Sequence, residues 1–308
     1  MATLLNMIDE VSMNLSGYTL QQDRATHITA DVAATTSTIA APITLSLAST
    51  DSVGKGIVEI DEELFWVDNY DRVGNTATIA PYGRAYLGTT LAAHTAGTKV
   101  TIAPTFPRFV IKRAINDTIS AIGSSIFAAN TTTITSNSAV SAFRLPATGT
   151  TLNIRNILAI AYQALGSSKE WIPIRSYRFD GNANSTAFTS SQTVSIYDYI
   201  PSGRSVQIVY ATDPTPFTSN TEDFATKTGL PESCKDLIIL GATYRLLSNL
   251  DPARASMISP QADEVDSKRP YGSSQSITKQ VYSLFNQRLN EEVKSQQEKY
   301  PIRVHYSL

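Results

Sequence analysis

Hydrophobic residues in this chain switch repeatedly between the spacing of a helix and that of a strand, and this switching constrains the fold most. Helical spacing occurs in four segments, residues 3–16, 109–128, 230–250 and 276–299. Strand-like alternation in short runs, broken by turn residues, fills residues 27–105 and 143–212. A period of 3.6 residues does not build a strand, and a period of two does not build a helix. The chain therefore predicts a mixed fold in which helices and sheets alternate along the sequence.

The helical segments are amphipathic, so each needs a partner that covers its apolar side. We predict an α+β fold with a helical core made of an N-terminal helix, a middle helix and two C-terminal helices. Two antiparallel β modules are inserted into this core, and a strand-like C-terminal tail follows it. The predicted boundaries are 1–26 and 106–130 for the first part of the helical core, 27–105 for an inserted β domain, 131–229 for a second β module, 230–300 for the C-terminal helices and 301–308 for an extended docking tail.

The charge and cysteine content of the chain argue against several classes of protein. The 308 residues carry a net charge of −2 at pH 7, so no basic field attracts nucleic acid. Cys234 is the only cysteine, which excludes a disulfide framework within the chain and fits folding in a reducing cytoplasm. The N-terminal residues include Asp9 and Glu10 and form no basic segment, so we expect no signal peptide. No apolar run reaches the ~20 residues that span a bilayer.

Residue types that carry catalysis or bind metals form no recognisable motif. The three histidines, His27, His94 and His305, share no spacing typical of metal ligands. The chain also lacks a phosphate-binding P-loop, a nucleophile elbow and a dinucleotide-binding glycine motif. Cys234 lies on an apolar helical segment, where a buried packing thiol is expected. We therefore predict no enzymatic activity, no cofactor and no metal site.

The densest group of acidic residues lies around a predicted hairpin turn. Its members are Asp61, Glu62, Glu63, Asp68 and Asp71. Paired carboxylates could serve a glycosidase or bind Ca²⁺, but the spacing does not fit a Ca²⁺ loop and turns favour acidic residues in any case. We interpret this group as a solvated turn.

Several aromatic residues lie close to the same turn. They are Phe65, Trp66, Tyr70, Tyr82 and Tyr86. Such a group could form a platform for a carbohydrate. Aromatic residues are also common in sheet cores and in cross-strand pairs, and this second interpretation is the one we favour.

Residues 56–100 carry a longer and more specific pattern. It runs from the strand and turn of IVEIDEELFWVDNY, through a hairpin at Gly74–Asn75, to GRAYLGTTLAAHTAGTKV. This stretch resembles a β module that recurs in structural proteins of tailed bacteriophages. An Arg–Gly pair of that module is altered here to Gly83–Arg84–Ala85, and Leu91 interrupts its run of small residues. The matching positions of the final segment are Gly88, Thr89, Thr90, Ala92, Ala93, His94, Gly97, Thr98 and Val100.

A second resemblance covers much of the remaining chain. LPESCKDLIILGATYRLLSNLDPARA (230–255), followed by a long polar helix and a short alternating tail, resembles the C-terminal half of phage head-to-tail connector adaptors. FPRFVIKRAINDTISAIGSSIF (106–127), followed by Arg-Leu-Pro and a β region containing a tryptophan, is similar to larger members of that group.

Together the two resemblances imply a structural virion protein of the head–tail neck. Such an adaptor forms a dodecameric ring beneath the portal, joins capsid to tail, and surrounds the DNA channel. The implied partners are further copies of the chain, the portal protein, and a tail or second neck protein. Genomic DNA would pass through the ring without sequence-specific binding, and no membrane would take part. The implied location is the virion, after assembly in the cytoplasm of the bacterial host.

Three groups of residues receive roles from this interpretation. The tail would dock on the portal by adding a strand to a sheet edge, through Ile302, Arg303, Val304, His305, Tyr306 and Leu308. An edge strand within the chain, or a frayed terminus, is the alternative for this tail. The last helix would contact neighbours in the ring through Ile277, Val281, Leu284, Phe285, Arg288 and Leu289. Inside the β module, structural roles fall to Gly88, His94 and Gly97. His94 would be a hydrogen-bonding residue that fixes the connection, the stretch from Gly83 that leads into the last strand of the module, TKVTI (98–102).

Two other functions remain open from the sequence. The first is a different neck or tail component that carries the same β module, such as a tail terminator or a minor tail protein. The second is a baseplate protein that binds or hydrolyses carbohydrate with Trp66, the tyrosines and the acidic turn.

Overall fold

The protein is described from a computed structural model, which describes residues 2–19, 23–34, 40–137, 140–146, 153–165, 169–249 and 273–301. These residues form five α-helices and three antiparallel sheets of six, four and three strands. The predicted α+β class is therefore confirmed. Among the described residues, none of the helices has the length and apolar character needed to cross a membrane.

The helices follow the predicted stripes of apolar residues. Their bounds are Leu4–Thr19 (α1), Arg108–Ile122 (α2), Phe224–Thr228 (α3), Lys235–Ser248 (α4) and Ser273–Lys299 (α5). Residues that repeat at helical spacing in α1 and α2 are buried, as expected when an amphipathic helix packs on a core. They are Leu4, Ile8, Val11 and Leu15 in α1 and Ile111, Ile115, Ile119 and Ile122 in α2.

Two helix predictions are corrected by the structure. The helix predicted over 109–128 ends at Ile122, and a strand begins at Ala128, where a run of threonines favours extended backbone. No helix is predicted within the second β module, residues 131–229, but this stretch contains α3. Asp223 accepts a hydrogen bond from the backbone N–H of Thr226 at 3.2 Å, and Gly229 ends the helix with a φ of 70°. These are ordinary helix start and stop signals.

The first sheet has six strands in the order β1-β6-β3-β4-β5-β2. Their bounds are Arg24–His27 (β1), Ile43–Ser46 (β2), Gly56–Ile60 (β3), Glu63–Asp71 (β4), Thr76–Ile79 (β5) and Lys99–Ile102 (β6). The two outer strands meet where Ile28 forms a β-bridge with Leu47. The sheet therefore closes on itself as a small barrel. One hydrophobic cluster fills it, including Val58, Phe65 and Val100.

The other two sheets enclose a separate hydrophobic cluster. The four-stranded sheet has the order β10-β9-β13-β7, with β7 Ala128–Thr135, β9 Ile154–Gln163, β10 Trp171–Pro173 and β13 Ser205–Thr212. The three-stranded sheet has the order β11-β12-β8, with β8 Ala142–Arg144, β11 Tyr177–Asp180 and β12 Thr193–Ile196. Both contribute to one core, for example Ile160 and Ile208 from the first and Val194 from the second. The two sheets thus pack face to face as a small sandwich.

The chain divides into two compact units. One comprises residues 5–115 and 239–282 and contains the barrel, and we call it the barrel unit. The other comprises the described parts of residues 1–4, 116–238 and 283–308 and contains the two packed sheets, and we call it the sandwich unit.

Candidate functional site

Four charged side chains converge inside the barrel unit, at the turn between β3 and β4. They are Asp61, Glu63, Arg84 and His94, and we call them the charge cluster. Asp61 occupies the turn with a φ of 55°, a left-handed conformation that aspartate tolerates better than most residues. Glu63 begins β4, and its side chain is fully buried. The hairpin register therefore fixes where both carboxylates lie.

Glu63 is the centre of the charge cluster. Its carboxylate accepts five hydrogen bonds, two from the Arg84 guanidinium, one from His94, and one each from the backbone N–H groups of Ala85 and Ala92. Burial alone raises the pKa of Glu63, but the hydrogen bonds from His94 and Arg84 outweigh it and lower the pKa to about 2. Glu63 is therefore ionised throughout the neutral range.

His94 lies between the two carboxylates. Its Nδ1 is 2.8 Å from Asp61 Oδ2, and its Nε2 is 3.0 Å from Glu63 Oε2. Burial lowers the pKa of His94, but the hydrogen bonds and negative charges of Asp61 and Glu63 outweigh it and raise the pKa to about 9. At neutral pH His94 is an imidazolium, and both nitrogens donate.

Arg84 joins the charge cluster to the surrounding backbone. Its Nη2 is 2.8 Å from Glu63 Oε2 and also donates to the carbonyl of Ala92 at 2.6 Å. Its Nη1 donates to the carbonyl of Ala33, and its guanidinium lies 5.1 Å from the centre of the Phe65 ring. A planar cation with five donors can meet all of these partners at once. One side chain thereby ties together three separate stretches of the barrel unit.

The connection that carries Arg84 and His94 is held by further hydrogen bonds. The hydroxyl of Thr89 accepts from the N–H of Leu64 at 3.1 Å, and His94 forms a β-bridge with Val32. The N–H of Gly97 donates to the carbonyl of Ile28 at 2.7 Å. Gly97 has a φ of 90° and Gly88 a φ of 79°, conformations that favour glycine. The residues assigned structural roles in the sequence thus lie within one ordered connection.

The geometry of the charge cluster suits a structural function better than a chemical one. Its formal charges sum to zero when His94 is protonated, since two carboxylates face two cations. A histidine that acts as a general base must offer a free nitrogen to a substrate. Both nitrogens of His94 are occupied by carboxylates, and only 2% of the residue is exposed. His94 therefore orders the connection and is not placed to take a proton from a substrate.

A second buried carboxyl lies nearby on β3. Glu59 is 3% exposed, and its Oε1 accepts a hydrogen bond from the N–H of Arg108, the first residue of α2, at 2.6 Å. A carboxylate at a helix N-terminus is stabilised by the helix dipole. Burial nevertheless dominates and raises the pKa of Glu59 to about 7, although the Arg108 N–H and charge lower it. Glu59 is thus a buried acid whose pKa lies near neutrality.

The interpretation of the five acidic residues as a solvated turn is wrong for Glu63. Asp61 and Asp68 keep most of their side chains in solvent, whereas the side chain of Glu63 is fully buried. Its partner Arg84 lies 21 positions further along the chain, so no local pattern reveals the pair.

Within the described part of the chain, no group of three or more His, Cys, Asp or Glu side chains is arranged to hold a metal ion.

Aromatic residues near the turn divide between core and surface. Phe65 is fully buried in the barrel, as the sequence interpretation expects. Tyr82 is 70% exposed, and the exposed ring of Trp66 packs against Tyr86 with 5.3 Å between ring centres. Tyr82 has a φ of 59°, a strained conformation for a bulky residue. The surface group is held in place because Gly83 and Arg84 anchor the same loop.

Cys234, in the sandwich unit, is buried. Its Sγ is 3.5 Å from Glu292 Oε2, and burial together with that negative charge raises the pKa of the thiol to about 12. A thiol with so high a pKa is a poor nucleophile.

The residues assigned to a ring interface on α5 differ in exposure. Val281 and Phe285 are buried within the single chain, and Leu284 is 43% exposed. Arg288 bonds with Asp236 at 2.8 Å and with Glu292 at 2.9 Å. Of these residues, Leu284 is the most accessible to a neighbour. The six predicted portal-docking residues all fall within 302–308 and lie outside the described residues.

Comparisons with known proteins give no family for the chain. It matches no protein-family model and no curated protein sequence.

Proposed function

We propose that this chain is a structural virion protein of a tailed bacteriophage, a head-to-tail adaptor that forms a ring beneath the portal. The observation that carries the proposal is the identity of the residues in the charge cluster and its connection. Thr89, His94 and Gly97, which carry the resemblance to the phage β module, each make contacts that hold the connection in shape. The resemblance therefore rests on residues that determine the shape of the module, as expected for a component used as a building block.

The chemistry of the barrel unit supports a building block over an enzyme. A buried, charge-neutral cluster with paired hydrogen bonds fixes one backbone arrangement. His94 has no free nitrogen, and its protonated state removes it as a base. In the sandwich unit, the thiol of Cys234 is buried and has a raised pKa.

The proposed partners follow from the same interpretation. Copies of the chain would contact one another in the ring, with Leu284 of α5 as an exposed apolar contact. Residues 302–308 would dock on the portal, and a tail or second neck protein would bind the opposite side of the ring. The low net charge of −2 suits a channel through which DNA passes, because few phosphate contacts would hold it.

The decisive experiment is a cryo-EM reconstruction of virions of the phage whose genome encodes this chain. We expect density for a ring of this chain between the portal and the tail. Density at the baseplate, or a virion without the chain, would overturn the proposal. A copy number per virion that does not fit a closed ring would overturn the adaptor function specifically.

Deleting residues 301–308 tests the proposed portal contact separately. We expect the truncated protein to remain folded and to fail to join heads to tails, so that filled heads and free tails accumulate. Circular dichroism of the purified protein controls for folding. Normal incorporation of the truncated chain into virions would contradict portal docking by these residues.

The exposed aromatic group of the barrel unit favours a second candidate, carbohydrate binding by a baseplate protein. Tyr82 and the Trp66–Tyr86 pair present flat rings to solvent from a strained loop, and strained backbone is often found at binding sites. Titration of the protein with bacterial surface glycans, compared with Tyr82→Ala, tests this function. Binding that Tyr82→Ala abolishes would support it, and the absence of binding to any glycan of the host surface would exclude it.

A further inference from the structure

The outer edge of β7 lacks the features that usually protect an exposed strand. Among the described residues, β7 forms one edge of the four-stranded sheet, and no strand pairs with its outer side. Its eight residues, AANTTTIT, include no charged residue and no proline. Proteins commonly use charges, prolines or very short strands to keep an edge from pairing. The edge of β7 is therefore suited to receive another strand.

The hydrogen bonds of Ser136, the residue directly after β7, show which backbone groups of the strand face outward. Ser136 directs its backbone toward the neighbouring strand, because its N–H donates to the carbonyl of Arg204 and its carbonyl accepts from Gly203. Backbone groups alternate in direction along a strand. The N–H and C=O groups of odd-numbered residues therefore point to the outer side. They belong to Ala129, Thr131, Thr133 and Thr135.

A side chain of α5 already pairs with the outward backbone just before β7. The amide of Gln296 donates from Nε2 to the carbonyl of Phe127 at 2.6 Å and accepts at Oε1 from the N–H of Phe127 at 3.1 Å. Phe127 is odd-numbered, so its groups face the same side as those of Thr131 and Thr133. The two bonds satisfy both outward backbone groups of Phe127, as strand pairing would do for the residues of β7. Pairing along this edge thus begins with α5.

The chain leaves α5 at the start of the same edge. The ring of Tyr300 packs against that of Phe127 with 5.9 Å between their centres, and Pro301 follows. Residues 302–308 could extend over about 23 Å, and β7 over about 26 Å. Apolar residues occupy every second position, Ile302, Val304, Tyr306 and Leu308. This period of two matches β7, where Ile134 packs toward the hydrophobic cluster and Thr131 and Thr133 are exposed.

We propose that in the free protein residues 302–308 add to the outer edge of β7 as a strand parallel to it. The direction follows from the position of Tyr300 beside Phe127, at the N-terminal end of β7. The apolar residues of the added strand would extend the core face, and Arg303, His305 and Ser307 would face solvent beside the threonines. This pairing concerns the chain alone and does not depend on the proposed virion function.

Disulfide trapping tests the pairing directly. The variant carries Thr131→Cys and His305→Cys, and its control carries Ile172→Cys and His305→Cys, which places the first thiol on β10 at the opposite edge of the sheet. Native Cys234 is buried and stays in both. Under mild oxidation we expect an intramolecular disulfide in the variant and none in the control, seen as faster migration of the monomer on non-reducing gels. Covalent dimers or longer ladders would overturn pairing within one chain in favour of a second copy.

Hydrogen exchange provides the second measurement, because a register error could prevent the disulfide. We expect the backbone amides of Ala129, Thr131 and Thr133 to exchange about tenfold or more slowly in the full chain than after deletion of residues 302–308. The amides of Val206 and Ile208 in β13 serve as the control and should not change. Equal exchange of the β7 amides in both proteins would overturn the proposal, whatever the gels show.

Discussion

The two units of the chain treat the edges of their sheets in opposite ways. The barrel unit closes its sheet where Ile28 meets Leu47, and buried charges hold the connection between its strands. The sandwich unit leaves β7 with an outer edge that no described strand covers. A closed sheet has no site for strand addition, whereas an open edge invites it. The difference indicates that the barrel unit has a fixed shape, whereas the sandwich unit can still pair with a further strand.

Each unit contains one of the two tryptophans, Trp66 in the barrel unit and Trp171 in the sandwich unit. Replacing either one with phenylalanine leaves a fluorescence signal that reports on a single unit. The following experiments use Trp66 in a Trp171→Phe background for the barrel, and the reverse for the sandwich.

The largest expected effect comes from breaking the charge cluster with Glu63→Gln. This change leaves Arg84 and His94 buried without their shared carboxylate, and losing one partner of a buried ion pair costs about 3–5 kcal/mol. We expect urea unfolding followed by Trp66 to show a loss of that size. Asp68→Asn is the control, since Asp68 and Lys55 form an exposed pair at 4.0 Å. A loss below about 1 kcal/mol for Glu63→Gln would contradict a central role for Glu63.

Raising the pH should also destabilise the barrel unit. Because the pKa of His94 is about 9 in the folded protein and its ordinary value is 6.5, the folded state holds its proton longer. The stability from His94 is complete below pH 6.5 and disappears as the pH rises through 9. We expect the free energy of unfolding reported by Trp66 to fall by about 3 kcal/mol over that range. A His94→Gln variant should not show this fall, and an equal fall in both proteins would exclude His94 as its cause.

Glu59→Gln is expected to stabilise the barrel unit above neutral pH. The pKa of Glu59 is about 7 when folded and 4.5 ordinarily, so folding binds a proton between these values and stability falls as the pH rises from 4.5 to 7. Glutamine resembles the protonated acid and can still accept from Arg108. We expect a gain of about 3 kcal/mol at pH 8 and almost none at pH 4. Destabilisation at pH 8 would mean that the carboxylate contributes more to the start of α2 than its burial costs.

A smaller loss is expected from Gly83→Ala. A Cβ at this position would lie 2.8 Å from the carbonyl oxygen of Ala80 and 2.9 Å from that of Trp66, so the backbone beside β4 must shift. Overpacking of this kind costs about 1–3 kcal/mol. Gly54→Ala is the matched control, since nothing lies within 4 Å of its added Cβ. Equal urea midpoints for the two variants would show that the loop can shift without a loss of stability.

The smallest effect is expected at the open edge, with Thr133→Lys. Thr133 is exposed on β7, and surface substitutions away from special contacts change stability by less than about 0.5 kcal/mol. Trp171 should therefore report almost unchanged unfolding of the sandwich unit. A loss of unfolding free energy above about 1.5 kcal/mol would indicate that the edge of β7 tolerates substitution as poorly as the barrel does.

Local patterns in the sequence predicted most elements correctly. The stripe of Ile111, Ile115 and Ile119 identified α2, and the acidic turn between apolar runs identified the β3–β4 hairpin, because both depend on neighbours within a few positions. The short helix α3 was missed, although Asp223 and Gly229 supply its start and stop signals. Five residues give too short a stretch for helical spacing to be recognised.

The charge cluster could not be predicted because its contacts are remote in sequence. His94 is one of only three histidines in the chain, but its carboxylate partners lie 33 and 31 positions away. Glu63 resembles its acidic neighbours in sequence and differs from them only in burial. Arg84 gave a weak signal, as a lone charged residue within a run of small and aromatic side chains. Its pairing with Glu63 emerges only when β4 and the connection pack together.

The charge balance of the cluster has a consequence for ionic strength. Two negative and two positive groups within a few ångströms of one another cancel at longer range, and three of the four are screened from solvent by the protein itself. Dissolved ions weaken interactions between exposed charges but hardly reach buried ones. The barrel should thus unfold at nearly the same urea concentration in dilute and in concentrated salt. A polyanion that passes the barrel would meet almost no field from this cluster.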